Sequence, residues 1–242
     1  MSTLLHQNPS SERISEKDLE GYFDGFVKTC DQMQVGLEAE FFAVDKKTGK
    51  GLPYAGDQGV MAMLAALSER FGHQKIMEGE NIIALKRGTN LITLEPGGQI
   101  ELSAPPVADV FEIEKQVQEF IKELVGIKDL FPNATWISLG MQPFSSIEEV
   151  TWVPKERYGI MWEYFKTNGT LSHEMMKRTG TNQVSVDYNS EEFAMTSMRI
   201  VLSLTSIVSA IFANSGISDG KINGYMTRRL DIWNHTDPAR AG

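Results

Sequence analysis

The chain has 242 residues, 41% of them hydrophobic and 23% charged, which suits one large globular core and excludes a disordered, collagen-like or disulfide-built protein. Its 32 acidic residues outnumber 23 Lys and Arg, and the net charge of −9 argues for small-molecule partners, with no nucleic acid and no membrane. The one cysteine, Cys30, excludes an internal disulfide and a cysteine-built zinc site, so a reducing cytoplasm is the expected location.

Residues 1–14 are polar, lack the charged-then-apolar order of a secretory signal, and are expected to form a flexible leader. Ser15 with Asp18 reads as a capping-box variant opening a first helix that ends near Cys30. Along it Leu19, Tyr22, Phe23, Phe26, Val27 and Cys30 recur at helical spacing, so Cys30 is expected to pack in the core. A strand from Val35 to Val44 follows, closed by the polar turn Lys46 to Gly51, and Val60, Leu64, Leu67 and Phe71 mark a short amphipathic helix.

Gln74 to Ser103 reads as short strands broken at Gly79-Glu80-Asn81, Arg87-Gly88-Thr89 and Pro96-Gly97-Gly98, which implies tight antiparallel connections. Asp109 with Glu112 caps a longer helix striped by Ile113, Val117, Phe120, Ile121 and Leu124. A strand near Ala134 to Met141, a helix near Arg157 to Thr167, a strand near Thr181 to Tyr188 and an apolar helix near Glu191 to Asn214 complete the regular part. The most apolar stretch, Ile200 to Ala213, is too short to span a bilayer and is expected to be buried. From Ser215 onward no strong period is visible. The order is not the strict strand–helix alternation of a parallel sheet, so the expected class is α+β, an antiparallel sheet backed by helices, with residues 15–242 in one domain.

The chemistry gathers on the strands. Alternation puts Glu38 and Glu40 on one face, while Thr93 with Glu95, and Gln99 with Glu101 and Ser103, do the same on two further segments. If these strands are neighbours, four carboxylates converge on one concave wall. Two like charges about 4 Å apart repel by about 4 kcal/mol at an effective dielectric near 20, so the cluster needs a cation or bound protons. Oxygen-only ligands favour Mg²⁺ or Mn²⁺. Gln183, Ser185 and Asp187 alternate against Val184 and Val186 and extend the polar face. Arg228, Arg229 and Arg240 supply fixed positive charge suited to carboxylate or phosphate, with Trp233 as an apolar wall beside them. Gly216 with Gly220-Lys221 does not make a phosphate loop, since the spacing is one residue short and Ile222 stands where Ser or Thr is required. The four histidines show no metal-ligand spacing, although His173 or His235 could approach the acidic face.

Together these segments resemble the plant and proteobacterial type of glutamate-cysteine ligase, within the carboxylate-amine ligases that share the glutamine synthetase catalytic fold. The residues concerned are Gly36-Leu37-Glu38-Ala39-Glu40-Phe41-Phe42, Leu94-Glu95-Pro96-Gly97-Gly98-Gln99-Ile100-Glu101-Leu102-Ser103, Arg178-Thr179-Gly180-Thr181-Asn182-Gln183-Val184, Phe212-Ala213-Asn214-Ser215, and Gly220 to Tyr225 with Arg229, Ile232-Trp233, Asp237 and Arg240. The resemblance spans roughly Leu19 to Gly242 and is to an amino-terminal portion of that family's catalytic domain. It implies a curved antiparallel sheet of that fold in incomplete form. It also implies ATP-dependent activation of the γ-carboxylate of L-glutamate as an acyl phosphate, then attack by the cysteine amine to give γ-glutamylcysteine, the first step toward glutathione, with Mg²⁺ or Mn²⁺ bridging the phosphates.

By motif match Glu38, Glu40, Glu95 and Glu101 become metal ligands, Glu38, Glu40 and Arg229 catalytic groups, and Arg229, Trp233 and Gln183 neighbours of substrate. Gly180 stands where plant members often place a cysteine, so disulfide-based redox regulation is not expected. Two alternatives stay open: a ligase with another amine acceptor, and a non-catalytic module that binds metal or substrate.

Overall fold

The computed structural model describes residues 13–240; most of the expected leader, residues 1–12, lies outside the described residues. Ser15 caps a first helix, α1 (Glu16–Tyr22), through the full capping box with Asp18. The helix stops sooner than its periodicity suggests, giving way to 3₁₀ turns at Phe23–Phe26 and Cys30–Gln32. Nothing among the described residues covers this segment. Leu19, Tyr22, Phe23, Phe26 and Val27 are exposed, and so is Cys30, whose Sγ accepts from Asn189 Nδ2 at 3.1 Å. The expected burial of Cys30 is therefore corrected: helical spacing marks a face that is apolar, not one that is covered.

The remainder alternates short strands and helices: β1 (Val35–Asp45), α2 (Val60–Phe71), β2 (Gln74–Glu78), β3 (Asn81–Arg87), β4 (Asn90–Leu94), β5 (Ile100–Ser103), α3 (Val110–Gly126), β6 (Ala134–Ile137), α4 (Glu156–Phe165), α5 (Ser172–Arg178), β7 (Asn182–Val186), α6 (Glu191–Ile211) and α7 (Arg228–Asn234). A two-stranded hairpin, β8 (Ile217–Ser218) with β9 (Lys221–Ile222), precedes α7. The architecture is α+β, as the element order implies. The main sheet has seven strands in the order β2-β3-β4-β5-β1-β6, with β7 also paired to β1, and all its pairings are antiparallel.

β1 organises the sheet because its two faces have opposite chemistry. Ala39 and Phe41 pair with Leu102 and Ile100, and these in turn with Ile92 and Leu94, forming one apolar face. Against that face pack Met63, Leu64 and Leu67 of α2 and Phe120 and Leu124 of α3, all essentially buried, with the Phe41 and Phe120 rings edge to face at 5.6 Å. Full burial of each aliphatic side chain contributes about 1.5–3 kcal/mol, so this layer fixes the register. The other face is left to the polar residues of the same strands.

The turn after β4 is pinned from several sides. Glu95 N–H donates to Gln99 O (3.0 Å), Gly98 N–H to Glu95 O (2.9 Å), and Val153 N–H to Pro96 O (2.9 Å). Gly98 takes a φ of +85°, and a Cβ on Gly97 would stand 2.0 Å from the Lys177 carbonyl oxygen. Gly97→Ala is accordingly expected to destabilise the chain by about 2 kcal/mol or more in a denaturant titration, since the obstacle is backbone and cannot swing aside.

α6 is where structure and expectation part most. It runs 21 residues with no buried residue, and Phe193, Met198, Ile200, Val201, Leu202 and Ile211 are among its exposed side chains. The expected buried helix is thus an uncovered one. By length and composition alone the whole helix, Glu191–Ile211, passes the test for crossing a membrane, with mean hydropathy 1.5, although its most apolar stretch from Ile200 is too short to do so by itself. β7 beside it is exposed throughout, Val184 and Val186 included.

Candidate active site

The strand register puts the expected acids on one wall. Glu40 lies directly opposite Glu101 across β1 and β5, Glu101 opposite Thr93 across β5 and β4, and Glu38 opposite Ser103 on one side and Gln183 on the other. Directly paired residues of an antiparallel ladder project to the same face, so Thr93, Glu101, Glu40, Glu38, Ser103 and Gln183 share it. Glu95 joins from the turn after β4. α4, α5 and α7 gather over this face, and the partly open cavity between them, about 140 Å³, is lined by Glu40, Glu95 and Gln99 from the sheet side and by Tyr158, Arg229 and Trp233 from the helices.

Each carboxylate has a defined environment. Glu40, 6% exposed, accepts from Thr181 N–H at 3.2 Å. Burial, with Glu95 and Glu101 close by, pushes its pKa up to about 9 against the counter-pull of Arg229 and the Thr181 amide. Glu101, also 6% exposed, has Oε1 held by the hydroxyls of Thr93 (2.6 Å) and Ser103. Glu95 and Glu38 are half-buried, and both are raised, first by burial and then by the charge of Glu101.

Arg229 faces this wall from α7. Its Nε donates to the Gly180 carbonyl at 3.1 Å, its backbone N–H donates to Ser215 Oγ at 3.1 Å, and its guanidinium lies over the Trp233 ring at 5.1 Å. Burial lowers its pKa while Glu40 opposes that shift. A Cβ on Gly180 would stand 2.8 Å from both the Leu139 carbonyl and the Phe42 ring, so the backbone that receives Arg229 is tightly packed.

The other expected charges go elsewhere. Arg228 pairs with Asp231, Arg240 with Asp237, and Asp187 with Lys28 at 2.6 Å while accepting from Gln34 N–H. His173 stacks on Trp162 at 3.7 Å, and exposed His235 caps back to Asp231 O at 2.8 Å, so neither carries the acidic wall. Gln183 sits exposed on β7 yet lines the cavity.

The wall is assembled, but it is not gathered round one point. The four acids share the sheet wall as expected, but among the described residues no group of three His, Cys, Asp or Glu side chains is arranged to hold a metal ion as it stands. The physical reason is visible: like charges directly opposite repel, and Glu40 and Glu101 turn instead to Thr181 and to Thr93 and Ser103. The donor set nonetheless fits a hard divalent cation. All its donor atoms are oxygens, and Glu40 is buried beside two further carboxylates, Glu95 and Glu101, with Arg229 as the opposing cation.

Sequence reasoning missed Lys155 and Tyr158. Lys155 is 3% exposed and Tyr158 1%, and both donate to the Leu94 carbonyl, at 2.7 and 2.6 Å. A lysine at the N-cap of α4, where the helix dipole disfavours positive charge, was the available clue.

The model of glutamate-cysteine ligase family 2 matches residues 34–242. The chain belongs to the glutamate-cysteine ligase family 2. It is 36% identical over 233 residues to a chloroplastic glutamate-cysteine ligase of Arabidopsis thaliana and 35% to that of Nicotiana tabacum, each alignment covering 96% of this chain and 44% of the relative. Glutamate-cysteine ligase A of Oryza sativa subsp. japonica, also chloroplastic, is 35% identical over 232 residues, covering 96% and 46%. The chain therefore spans somewhat under half the length of these family members. Their chloroplastic names overturn the expected cytoplasmic location, which rested on the single cysteine and on the lack of a visible secretory signal or membrane span, properties that do not separate one reducing compartment from another.

Proposed function

We propose that these residues serve ATP-dependent ligation of L-glutamate to L-cysteine, through γ-glutamyl phosphate, giving γ-glutamylcysteine. The observation that carries the reading is the Glu40–Glu101 pair, backed by Glu38 and Glu95, on a sheet wall facing Arg229 across an amino-acid-sized cavity, in a chain of this family. Residues 15–242 then form the amino-terminal part of one ligase domain, with the sheet as the glutamine synthetase-type catalytic surface.

In this reading Glu38, Glu40, Glu95 and Glu101 hold Mg²⁺ or Mn²⁺, which supplies neutralisation of phosphate charge when bound. Phosphoryl transfer asks little covalent help and much positioning, so no protein nucleophile is required. Arg229, held in its plane by Gly180 O and Trp233, takes the substrate carboxylate, with Trp233 and Gln183 at the substrate's flank. The acidic wall then excludes a second unneutralised anion from its side of the cavity, orienting the reacting carboxyl toward the phosphate donor.

Incubation with ATP, Mg²⁺, glutamate and cysteine should give ADP and γ-glutamylcysteine together. Absence of both products, with no binding of glutamate, would overturn the proposal. Substituting other amines for cysteine in an ADP-release assay tests the acceptor separately, because no side chain here is specific for a thiol.

A further inference from the structure

We propose that Lys155 is a positioning residue that, with Tyr158, clamps the peptide preceding Glu95 and so fixes that carboxylate on the acidic wall; this rests on the metal-binding reading of the wall. Glu95 differs from its three companions in lacking a strand to hold it: Glu38, Glu40 and Glu101 sit in ladders, whereas Glu95 follows the last residue of β4. Its own N–H and C=O are bonded within the turn, to Gln99 O and Gly98 N–H, and the peptides on either side of it are gripped from outside the sheet. Leu94 O receives Lys155 Nζ and Tyr158 OH, Pro96 O receives Val153 N–H, and Tyr158 OH stands 3.5 Å from Glu95 Oε1. All three outside donors come from one segment, residues 153–158, where the chain enters α4.

Lys155 is an unusual choice for such a task. It is almost fully buried, and its ammonium hydrogen bonds to a carbonyl and lies 3.4 Å from the Tyr158 hydroxyl. Burying a cation on neutral partners is costly unless the charge is compensated nearby, and Glu95 and Glu101 are close enough to act on it electrostatically. Lys155 thus reads the wall's charge from behind while holding the peptide before the one member that sits in a turn.

Two roles for this lysine predict opposite signs. As a mere counter-charge it would repel a divalent cation, and removing it would tighten metal binding. As a clamp its removal frees the Glu95 turn and weakens metal binding, and loss of a group that orients a ligand costs about 10–100-fold in affinity. The test is Mn²⁺ titration of the 242-residue chain, free Mn²⁺ being read by electron paramagnetic resonance. Lys155→Met should weaken Mn²⁺ binding about tenfold, Lys155→Arg should restore part of it, and Lys155→Met should add nothing in a Glu95→Gln background.

Tighter or unchanged binding in Lys155→Met, or an undiminished effect in the Glu95→Gln background, would overturn the clamp while leaving the metal reading intact. If Glu95→Gln itself leaves Mn²⁺ affinity unchanged, or the parent chain binds no Mn²⁺, the metal reading falls and the clamp with it. Should Lys155→Met fail to fold, Tyr158→Phe removes one donor from the same carbonyl and carries the same prediction with a smaller factor.

Discussion

Glu40→Gln is expected to stabilise the metal-free chain at pH 8 while weakening divalent-cation binding at least tenfold. The stabilising half follows from linkage. In the folded chain burial and the neighbouring Glu95 and Glu101 hold the Glu40 pKa at about 9, against 4.5 for an unperturbed carboxyl. Between those values the folded state carries a proton that the unfolded state has lost, so stability falls as pH rises through that window. At pH 8 most of this loss has accrued, and Gln, which is isosteric and can still accept from Thr181 N–H, removes it.

Each pKa unit corresponds to about 1.4 kcal/mol, and after allowance for relaxation round a partly hydrated site the gain should be about 1–3 kcal/mol. In a chain of this size that is a rise of roughly 5 °C in the unfolding midpoint. Calorimetric scans of both proteins at pH 5 and pH 8 check it: the difference should be small at pH 5 and plain at pH 8. Equal midpoints at pH 8 would mean that Glu40 is ionised and charge-compensated in the folded chain, and would contradict the raised pKa. A residue that destabilises the fold it sits in, and is relieved by a neutral isostere, is what a ligand site costs the apo protein.

The second large effect belongs to Arg229. Arg229→Lys keeps the positive charge but loses the planar fork that reaches Gly180 O while lying over Trp233. Charge-assisted hydrogen bonds contribute about 1.5–3 kcal/mol each, so KM for glutamate should rise about 30-fold with KM for ATP little changed. Steady-state kinetics with each substrate varied in turn measures this. The converse pattern, ATP affected and glutamate not, would place Arg229 on phosphate and refute its assignment to the amino acid.

How far the sequence leads depends on which physical signal is in question. The acidic wall was legible because period-2 alternation ties a residue's face to its parity: Glu38 and Glu40 had to share a face, and the Ala39–Leu102–Ile92 ladder had to oppose it. The glycine breaks between β2 and β5 likewise imposed an antiparallel order. Closure of the wall was not legible, because where a carboxylate turns depends on donors from distant segments, such as Thr181 for Glu40 and Ser103 for Glu101. Nor did spacing distinguish Arg229 from Arg228 and Arg240. Only the fold shows that Arg228 and Arg240 face Asp231 and Asp237 while Arg229 faces Glu40.

α6 teaches the opposite limit. Apolar side chains around a helix state that it needs cover, and the sequence cannot state which residues supply it; among the described residues none does. α7 was missed because seven residues are too few for a period to emerge, although it holds both Arg229 and Trp233.

The most direct test is an anomalous difference map from crystals of the chain grown with Mn²⁺. The account predicts a peak within coordination distance of carboxylate oxygens from Glu40 and Glu101, on the Arg229 side of the sheet. A map without a peak there at saturating Mn²⁺, or with manganese only at exposed carboxylates elsewhere, would contradict it.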